Sequence, residues 1–572
     1  MRSPFTPKDL GAFWMELTQA GGDLQARELF RFALEACEAG SHSDEVDQAL
    51  EWAEELQDRD TESDTYGNFR WYRRNMKPVD RNAVEFSMKA GGLLWIRHRD
   101  RMSNQGRERL ERLMRFSVEG IRRHTPPVSY TNIWIMKTWN CVALGERLAE
   151  RELAEEGYAM LARWLQYTVC HGIHEYLSPT YYVASMQPME LIAQYAQSKE
   201  GRHQANKALR FFWMQIAANW SDLCARLGGA HSRDYDYLST GVRAVRIRER
   251  FNSIRQGDGE VHPPDAQIGA DVNAVLADLP RTVCQRFGEK PEETATTYVG
   301  KSFTIGSAGA SYGPIDKCLT VNIGGPDTPN ATFFTDARGD GYGQRQFRLN
   351  SGHSKALHLV PFLTTVQRGS EVLLLAAPAP EGRHYARSAP GPTCLLSHFV
   401  LPASADRCSV GDVSLNFGDD STGLIDVPRE EAVIIEWGDV SLAVRAVLAR
   451  SIDGGEATVQ LVRDEEGLAC GAMRLTVTHS DVPAESRGVV ALWVGVNEAV
   501  SVGIRAHFES AVDIREDGDQ VRVEIPGWQG PMAVAADLSS YEVLERVGGE
   551  SKEGSALLMV NGKEIGRALL EC

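Results

Sequence analysis

At 572 residues the chain is several times longer than a single hydrophobic core usually grows, so two domains of about 250–300 residues are expected. Hydrophobic residues make up 43% and charged residues 24%, a globular composition that excludes a disordered chain. Lys plus Arg number 61 against 78 Asp plus Glu, and the formal net charge of −17 argues against bulk attraction to nucleic acid or an anionic membrane. An acidic substrate stays compatible with that charge, because a cleft is governed by its own few groups.

The opening stretch MRSPFTPKDLGAFWMELTQ has no continuous apolar region followed by a small-residue cleavage motif, so no secretory signal is read. A cytoplasmic location is the expectation, with secretion the alternative had a signal been trimmed. No run of about eighteen apolar residues occurs, which leaves no membrane-spanning helix. The ten cysteines show no CxxC pair, which favours free buried thiols over a disulfide frame or zinc knuckle. No cofactor is expected.

From the start to about residue 255 apolar residues recur at helical spacing, as in Leu110, Leu113, Met114, Phe116, Val118 and Ile121. Breaks fall at Gly21-Gly22, Pro126-Pro127, Ser178-Pro179, Gly228-Gly229 and in QGDGEVHPP at 256–264. The spacing predicts about five to seven helical hairpins, enough to curl into a ring with loops around one mouth. One more helical segment is read at 268–288. After it the pattern changes to short β-branched runs: CLTVNI (318–323), EVLLLAAPA (371–379), AVIIEW (432–437), ATVQLV (457–462), GVVALWVGV (488–496) and VRVEI (521–525). The segments between them are too short and polar for crossover helices, so antiparallel packed sheets are expected. The fold class is therefore multidomain α and β: an N-terminal (α/α) toroid of helical hairpins over 1–290, carrying the chemistry, and a C-terminal antiparallel β-sandwich over 291–572.

Four segments of the helical half concentrate polar and aromatic residues. In DTYGNFRWYRR, Asn68, Arg70, Trp71 and Tyr72 mix aromatics with cations, which suits stacking on a sugar and forked pairing with its carboxylate. The bland alternative is a solvated loop with Trp71 tucked into the core. In SYTNIWIMKTWN, Ser129 or Thr131 can cap a helix and place Asn132 in its first turn, near free N–H groups and the positive dipole end. Asn132 could equally serve only as a capping residue.

CHGIHEYLSPTYY holds His171, His174 and Glu175 at i, i+3 and i+4, on one face if the stretch is helical. Ser178-Pro179 then starts a new helix with Tyr181 and Tyr182 in its first turn. HxxHE lacks the histidine pair of HExxH and an obvious third ligand, so no metal site is read. In LGGAHSRDYDYLS, a helix ending near Leu227 would be capped by Gly228, and His231, Arg233, Asp234, Tyr235, Asp236 and Tyr237 crowd the loop that follows. The alternative there is an Arg233–Asp ion pair that merely pins the loop.

With NFRWY, DRNAVEF, TNIWIMKTWN, HEYLSPTYY, GGAHSRDYDYL and YVGKSFTIGSAGASYGPIDKCLTV (298–321), the chain resembles the heparinase II/III-like group of polysaccharide lyases, across the whole order of domains. That resemblance implies an incomplete (α/α) toroid with a β-sandwich and β-elimination on a uronate-containing polysaccharide or oligosaccharide. It implies that Asn132 neutralises the uronate carboxylate, helped by Arg70 or Arg233. His174 or His231 would be the base, and Tyr181, or else Tyr235, the acid. Asn68, Arg70, Trp71, Tyr72, Tyr182, Asp234 and Tyr237 would bind substrate. The physical need is general: a proton beside a carboxylate is hardly acidic until that charge is neutralised and the developing enolate is held by fixed donors.

HEYLSPTYY does not map residue by residue onto a characterised heparin lyase, so heparin itself is not implied. Related toroids also support glycoside hydrolysis. The rival reading is thus an inverting hydrolase with Glu175 as general acid and Asp234 or Asp236 orienting water. A third is a non-catalytic glycan-binding protein.

Overall fold

The computed structural model describes residues 9–571 except 236–241, 257–266, 314–315, 327, 329, 340–345, 349–353, 357–358, 380–391, 403–404, 416–422, 465–471, 484, 499–502 and 551–555. Eleven helices fill the first half of the described residues: α1 (Leu10–Gln19), α2 (Ala26–Ala39), α3 (Ser43–Leu56), α4 (Ala83–His98), α5 (Asn104–Arg123), α6 (Thr131–Arg147), α7 (Arg151–His171), α8 (Tyr181–Tyr195), α9 (Lys199–Asn219), α10 (Val242–Gln256) and α11 (Gln267–Ala277). Local chemistry sets their ends. Ser103 Oγ accepts from Gly106 N at 2.8 Å and Ser198 Oγ from Gly201 N at 3.0 Å, each satisfying a free N–H of a first turn. Gly40, at φ 66°, closes α2 in the left-handed region where a side chain would be strained.

Two kinds of helix alternate. From Thr131 to Gly145, α6 is buried all round, whereas α5 buries one stripe (Leu110, Leu113, Met114, Val118, Ile121) and shows a charged face to solvent. The most buried of them, α4 and α6, lie in an inner layer with α2 and α8, and α3, α5 and α7 cover it with one apolar stripe each. Each of α2, α4, α6 and α8 packs on its hairpin partner α3, α5, α7 or α9 and on the next inner helix, the toroid arc expected, with α11 continuing on α9. Because each hairpin is antiparallel, the inner helices all run the same way. Their N-termini therefore share one mouth.

The helices of the first half stop at Ala277 and the strands of the second half begin with Arg281–Arg286, so the helix read over 268–288 is corrected. Pro280 cannot continue a helix, and the β-branched Thr282 and Val283 pair into a sheet instead. An eleven-stranded antiparallel sheet runs, edge to edge, from Gly423–Asp426 through Leu395–Pro402, Phe303–Ala308 and Thr294–Val299 to Arg281–Arg286, Leu558–Val560 and Lys563–Glu564. A seven-stranded sheet, with Glu371–Ala377 beside Val489–Asn497, covers it across Ile305, Val321, Phe399, Leu374 and Val494. A four-stranded sheet (Asp513–Glu542 region, ending at Val547) packs on the far face, against Leu373, Leu375 and Trp493. The seven-stranded sheet is thus a middle layer, which is why EVLLLAA is apolar on both faces rather than alternating.

Two seams join the halves. Gly228 and Gly229 lie against Thr304, Thr297 and Gly306, so close that a Cβ would clash; Gly229 has φ +90°. Beyond them His231 N donates to Lys317 O at 3.0 Å and Lys317 N to His231 O at 2.8 Å. The helix before this loop ends at Asn219, not near Leu227, and a small ladder, Trp220–Ser221 with Arg226–Leu227, fills the interval. Two short helices complete the chain, α12 (Ile504–Phe508) and α13 (Gly566–Glu571); α13 returns to pack on α7 and α9.

Candidate active site

Four elements meet at the mouth: the N-terminus of α6, the turn between α7 and α8, the loop after Leu227, and a loop of the large sheet before Leu319–Ile323. Arg233 is the hub. Its Nη1 donates to Glu175 Oε1 at 2.7 Å, and its Nη2 donates to Tyr181 Oη at 2.8 Å and Tyr235 Oη at 3.4 Å. The two phenol oxygens are 3.1 Å apart. The guanidinium also sits over the Tyr181 ring at 4.2 Å and the Tyr130 ring at 5.8 Å. Arg233 itself stands at φ 47°, held there because Asp316 Oδ1 accepts its N–H at 2.8 Å. The Arg233–Asp ion pair that the sequence offered as an alternative is not formed among the described residues: the guanidinium pairs with Glu175, and Asp316 holds only the backbone N–H.

Glu175 is buried, and both its oxygens are engaged: Oε2 accepts from Asn132 N at 2.9 Å while Oε1 takes Arg233. Burial pushes its carboxyl above the ordinary range, with Arg233 and the Asn132 N–H pulling the other way. Asn132 lies in the first turn of α6 as expected, and its buried side-chain Oδ1 accepts no hydrogen bond. Tyr181 begins α8, where Ser178 Oγ accepts its N–H at 3.1 Å. Burial raises the Tyr181 phenol well above its usual value, opposed by Arg233, so the hydroxyl holds its proton at neutral pH.

His171, His174 and Glu175 do not share a helical face. Gly172, at φ 73°, ends α7 at His171, and the chain turns so that His174 and Glu175 point to different neighbours. His174 Nε2 lies 2.8 Å from Tyr167 Oη, and Tyr167 donates to Glu289 Oε1 at 2.8 Å. A phenol has one proton; once Glu289 takes it, Nε2 of His174 must be the donor, and a neutral ring then keeps its lone pair on Nδ1. Burial lowers the His174 pKa below the ordinary histidine value, which favours that neutral ring. Its centroid is 6.0 Å from the Tyr312 ring, on the sheet loop that also brings Asp316.

Other residues expected here are committed elsewhere. His231 is buried beneath the mouth with Nδ1 3.0 Å from Leu177 O, and burial holds its pKa at about 4. Asp234 is buried in an ion pair with Lys317 at 2.7 Å. Tyr182 is core, its hydroxyl donating to Gln215 and its ring edge-on to Phe212. Asn68 bonds Asp80 O, Arg81 O and Phe69 N, and Arg70 donates to the carbonyls of Glu55, Arg73 and Asn75. Trp71 is buried against Phe86, and Tyr72 lies under Arg74. These four are spent on building the loop before α4, because its carbonyls need donors away from water. Asp236 and Tyr237 lie outside the described residues.

Sequence reasoning missed Tyr130, Tyr312 and Asp316. The available signal was an aromatic and an aspartate in a Gly- and Pro-containing loop between two strands, ASYGPID, of the kind that carries function on a rigid scaffold. Among the described residues no group of three or more His, Cys, Asp or Glu could hold a metal ion, and no helix is long and apolar enough to cross a membrane.

Residues 36–248 match the family model of a domain of unknown function (DUF8769). No curated protein matches the chain. Among solved structures it is similar to heparinase III, with 11% identity over 93% of this chain and 84% of that one and a TM-score of 0.44. It is also similar to chondroitinase AC lyase, with 9% identity, 97% and 98% coverage and a TM-score of 0.43. A third is the heparan sulfate lyase HepC of Pedobacter heparinus, with 9% identity, 94% and 90% coverage and a TM-score of 0.36.

Proposed function

We propose that the protein is a carbon–oxygen lyase that cleaves a uronate-containing polysaccharide or oligosaccharide by β-elimination at the Arg233 cluster. The observation that carries this reading is one guanidinium joining a buried carboxylate to two phenols at the mouth of the helical arc. In this reaction a base removes the proton beside the sugar carboxylate, the bond to the neighbouring sugar oxygen breaks, and an acid protonates that oxygen. A double bond stays on the sugar.

Tyr181 suits the acid. It is protonated at rest, and the phenolate left after proton donation would lie 2.8 Å from Arg233 Nη2, which offsets its charge. His174 suits the base, with Nδ1 as the free lone pair of a neutral ring. Asn132 suits the carboxylate through its side-chain amide in the first turn of α6, while its backbone N–H is taken by Glu175. Glu175 is a positioning residue that fixes Arg233.

Inverting hydrolysis needs an acid and a base carboxylate open to the sugar. Glu175 has both oxygens engaged and Asp234 is paired with Lys317, which disfavours these two in that role, while Asp236 lies outside the described residues. Incubation with a panel of uronate-containing glycans separates the readings: ultraviolet absorbance of a conjugated double bond supports the lyase, and reducing ends without it the hydrolase. Binding without either product leaves a glycan-binding protein. For the lyase, Tyr181→Phe is expected to lower the rate about 10²–10⁴-fold, with a melting temperature lowered only by the loss of one hydrogen bond to Arg233.

A further inference from the structure

The sheet half of the chain reaches the helical half through the tip of one hairpin, between Arg281–Arg286 and Thr294–Val299, which packs under the turn from α7 to α8. Arg286 O lies where a Cβ of Gly172 would be, and the Phe287 ring stacks on Tyr176 at 4.0 Å. Glu289 stands exposed at the tip, where its Oε1 accepts the Tyr167 proton at 2.8 Å. Arg286 stiffens this stretch by donating to the carbonyls of Gly288 and Glu289, at 2.8 Å each.

Tyr167 links the tip to His174. With its proton on Glu289, the phenol oxygen offers a lone pair to His174 Nε2, 2.8 Å away. A carboxylate behind that phenol does two things to the ring. It keeps the proton on Nε2 and the lone pair on Nδ1, and it favours the imidazolium formed when Nδ1 takes the sugar proton. Burial lowers the His174 pKa most; of the charges facing it, Glu293 and Glu289 on the hairpin raise it and His171 on α7 lowers it. Tyr312, on the sheet loop, faces it as a neutral phenol that burial keeps protonated. Glu293 differs from Glu289 in its bond, since its Oε2 accepts the Lys290 N–H at 2.8 Å within the hairpin.

We propose that Glu289, acting through Tyr167, is a positioning residue for the base: it fixes His174 in the Nε2–H tautomer and balances the charge that Nδ1 takes up. The sheet half thereby sets the state of a base carried by the helical half. The proposal rests on the lyase reading for the role of His174, and one arm of its test needs no turnover. Isotope-labelled histidine NMR spectra of the full chain, with the His174 signal identified by its loss in His174→Gln, report which ring nitrogen holds the proton. The wild type should show Nε2–H and a bare Nδ1. In Glu289→Ala the freed phenol proton turns to Nε2, so Nδ1–H should appear, and kcat should fall about tenfold as the base loses its lone pair. Glu289→Gln keeps an acceptor for Tyr167 without the charge. It should restore the wild-type tautomer and most of kcat, while the His174 titration and the acid limb of kcat move about half a pH unit lower. Glu293→Gln should move that titration the same way and leave the tautomer alone. Nδ1–H in the wild type, an unchanged tautomer and kcat in Glu289→Ala, or no rescue by Glu289→Gln would overturn the role of Glu289. Absence of unsaturated product from every glycan, with the spectra as expected, would sink the lyase reading alone.

Discussion

At Arg233 a single residue bears strain and function together. A non-glycine residue at φ 47° costs on the order of 1 kcal/mol, and it persists because Asp316 grips the N–H while Glu175 and Tyr181 grip the guanidinium. His174 is tuned by a different means. Its neutral ring is the working form of a base, and burial lowers its pKa below 6.5, so lyase activity should hold from neutral pH down to that value and fall only in more acid solution. The check is kcat against pH, followed by absorbance of the unsaturated product. An acid limb centred above pH 7 would remove His174 from the base role.

At the scale of elements, the turn from α7 to α8 decides where the chemistry points. Gly172 stands at φ 73° and ψ −160°, a region open essentially to glycine alone, with Arg286 O packed where a Cβ would be. Gly172→Ala is expected to cost more than about 2 kcal/mol in urea unfolding, and to lower activity because His174 and Glu175 both hang from this turn. Part of this region was legible in the sequence: Ser178 Oγ accepts the Tyr181 N–H at the start of α8 as local capping chemistry predicts, and Asn132 falls in the first turn of α6, although the residue before that helix is Tyr130 and neither Ser129 nor Thr131 caps it with its side chain. The shared face of His171, His174 and Glu175 was not, because helical spacing carries across a glycine on paper and the backbone does not. Asn68, Arg70 and Trp71 looked like a sugar site for a related reason, since composition cannot tell a donor that meets a ligand from one that meets its own loop. Tyr312 and Asp316 were invisible for want of distance information: the sheet loop that delivers them lies far along the chain from Glu175 and Arg233.

At the scale of the whole molecule, the mouth exists only while the helical arc and the large sheet stay joined, and His231 sits in that joint. Its Nδ1 meets Leu177 O beside the turn that carries Glu175, its backbone pairs with Lys317, and Lys317 in turn binds Asp234. Burial holds its pKa at about 4 against an ordinary 6.5. Between those values the unfolded chain binds the proton and the folded one does not, so stability from this group is complete above pH 6.5 and is lost as pH falls toward 4. The loss amounts to about 3 kcal/mol. Asp316, whose carboxyl burial pushes up to about 6, acts in the opposite sense, since the folded form holds its proton more tightly. The slope of the wild type alone therefore mixes several terms, His479 with a pKa also lowered to about 4 among them, and a difference between two proteins isolates one. His231→Asn keeps an N–H for Leu177 O and cannot titrate. Its stability relative to wild type, from urea unfolding at a series of pH values, should rise by about 3 kcal/mol between pH 6.5 and 4, whatever constant packing penalty it carries. A difference that stays flat across that window would mean that His231 gains its proton without parting the two halves.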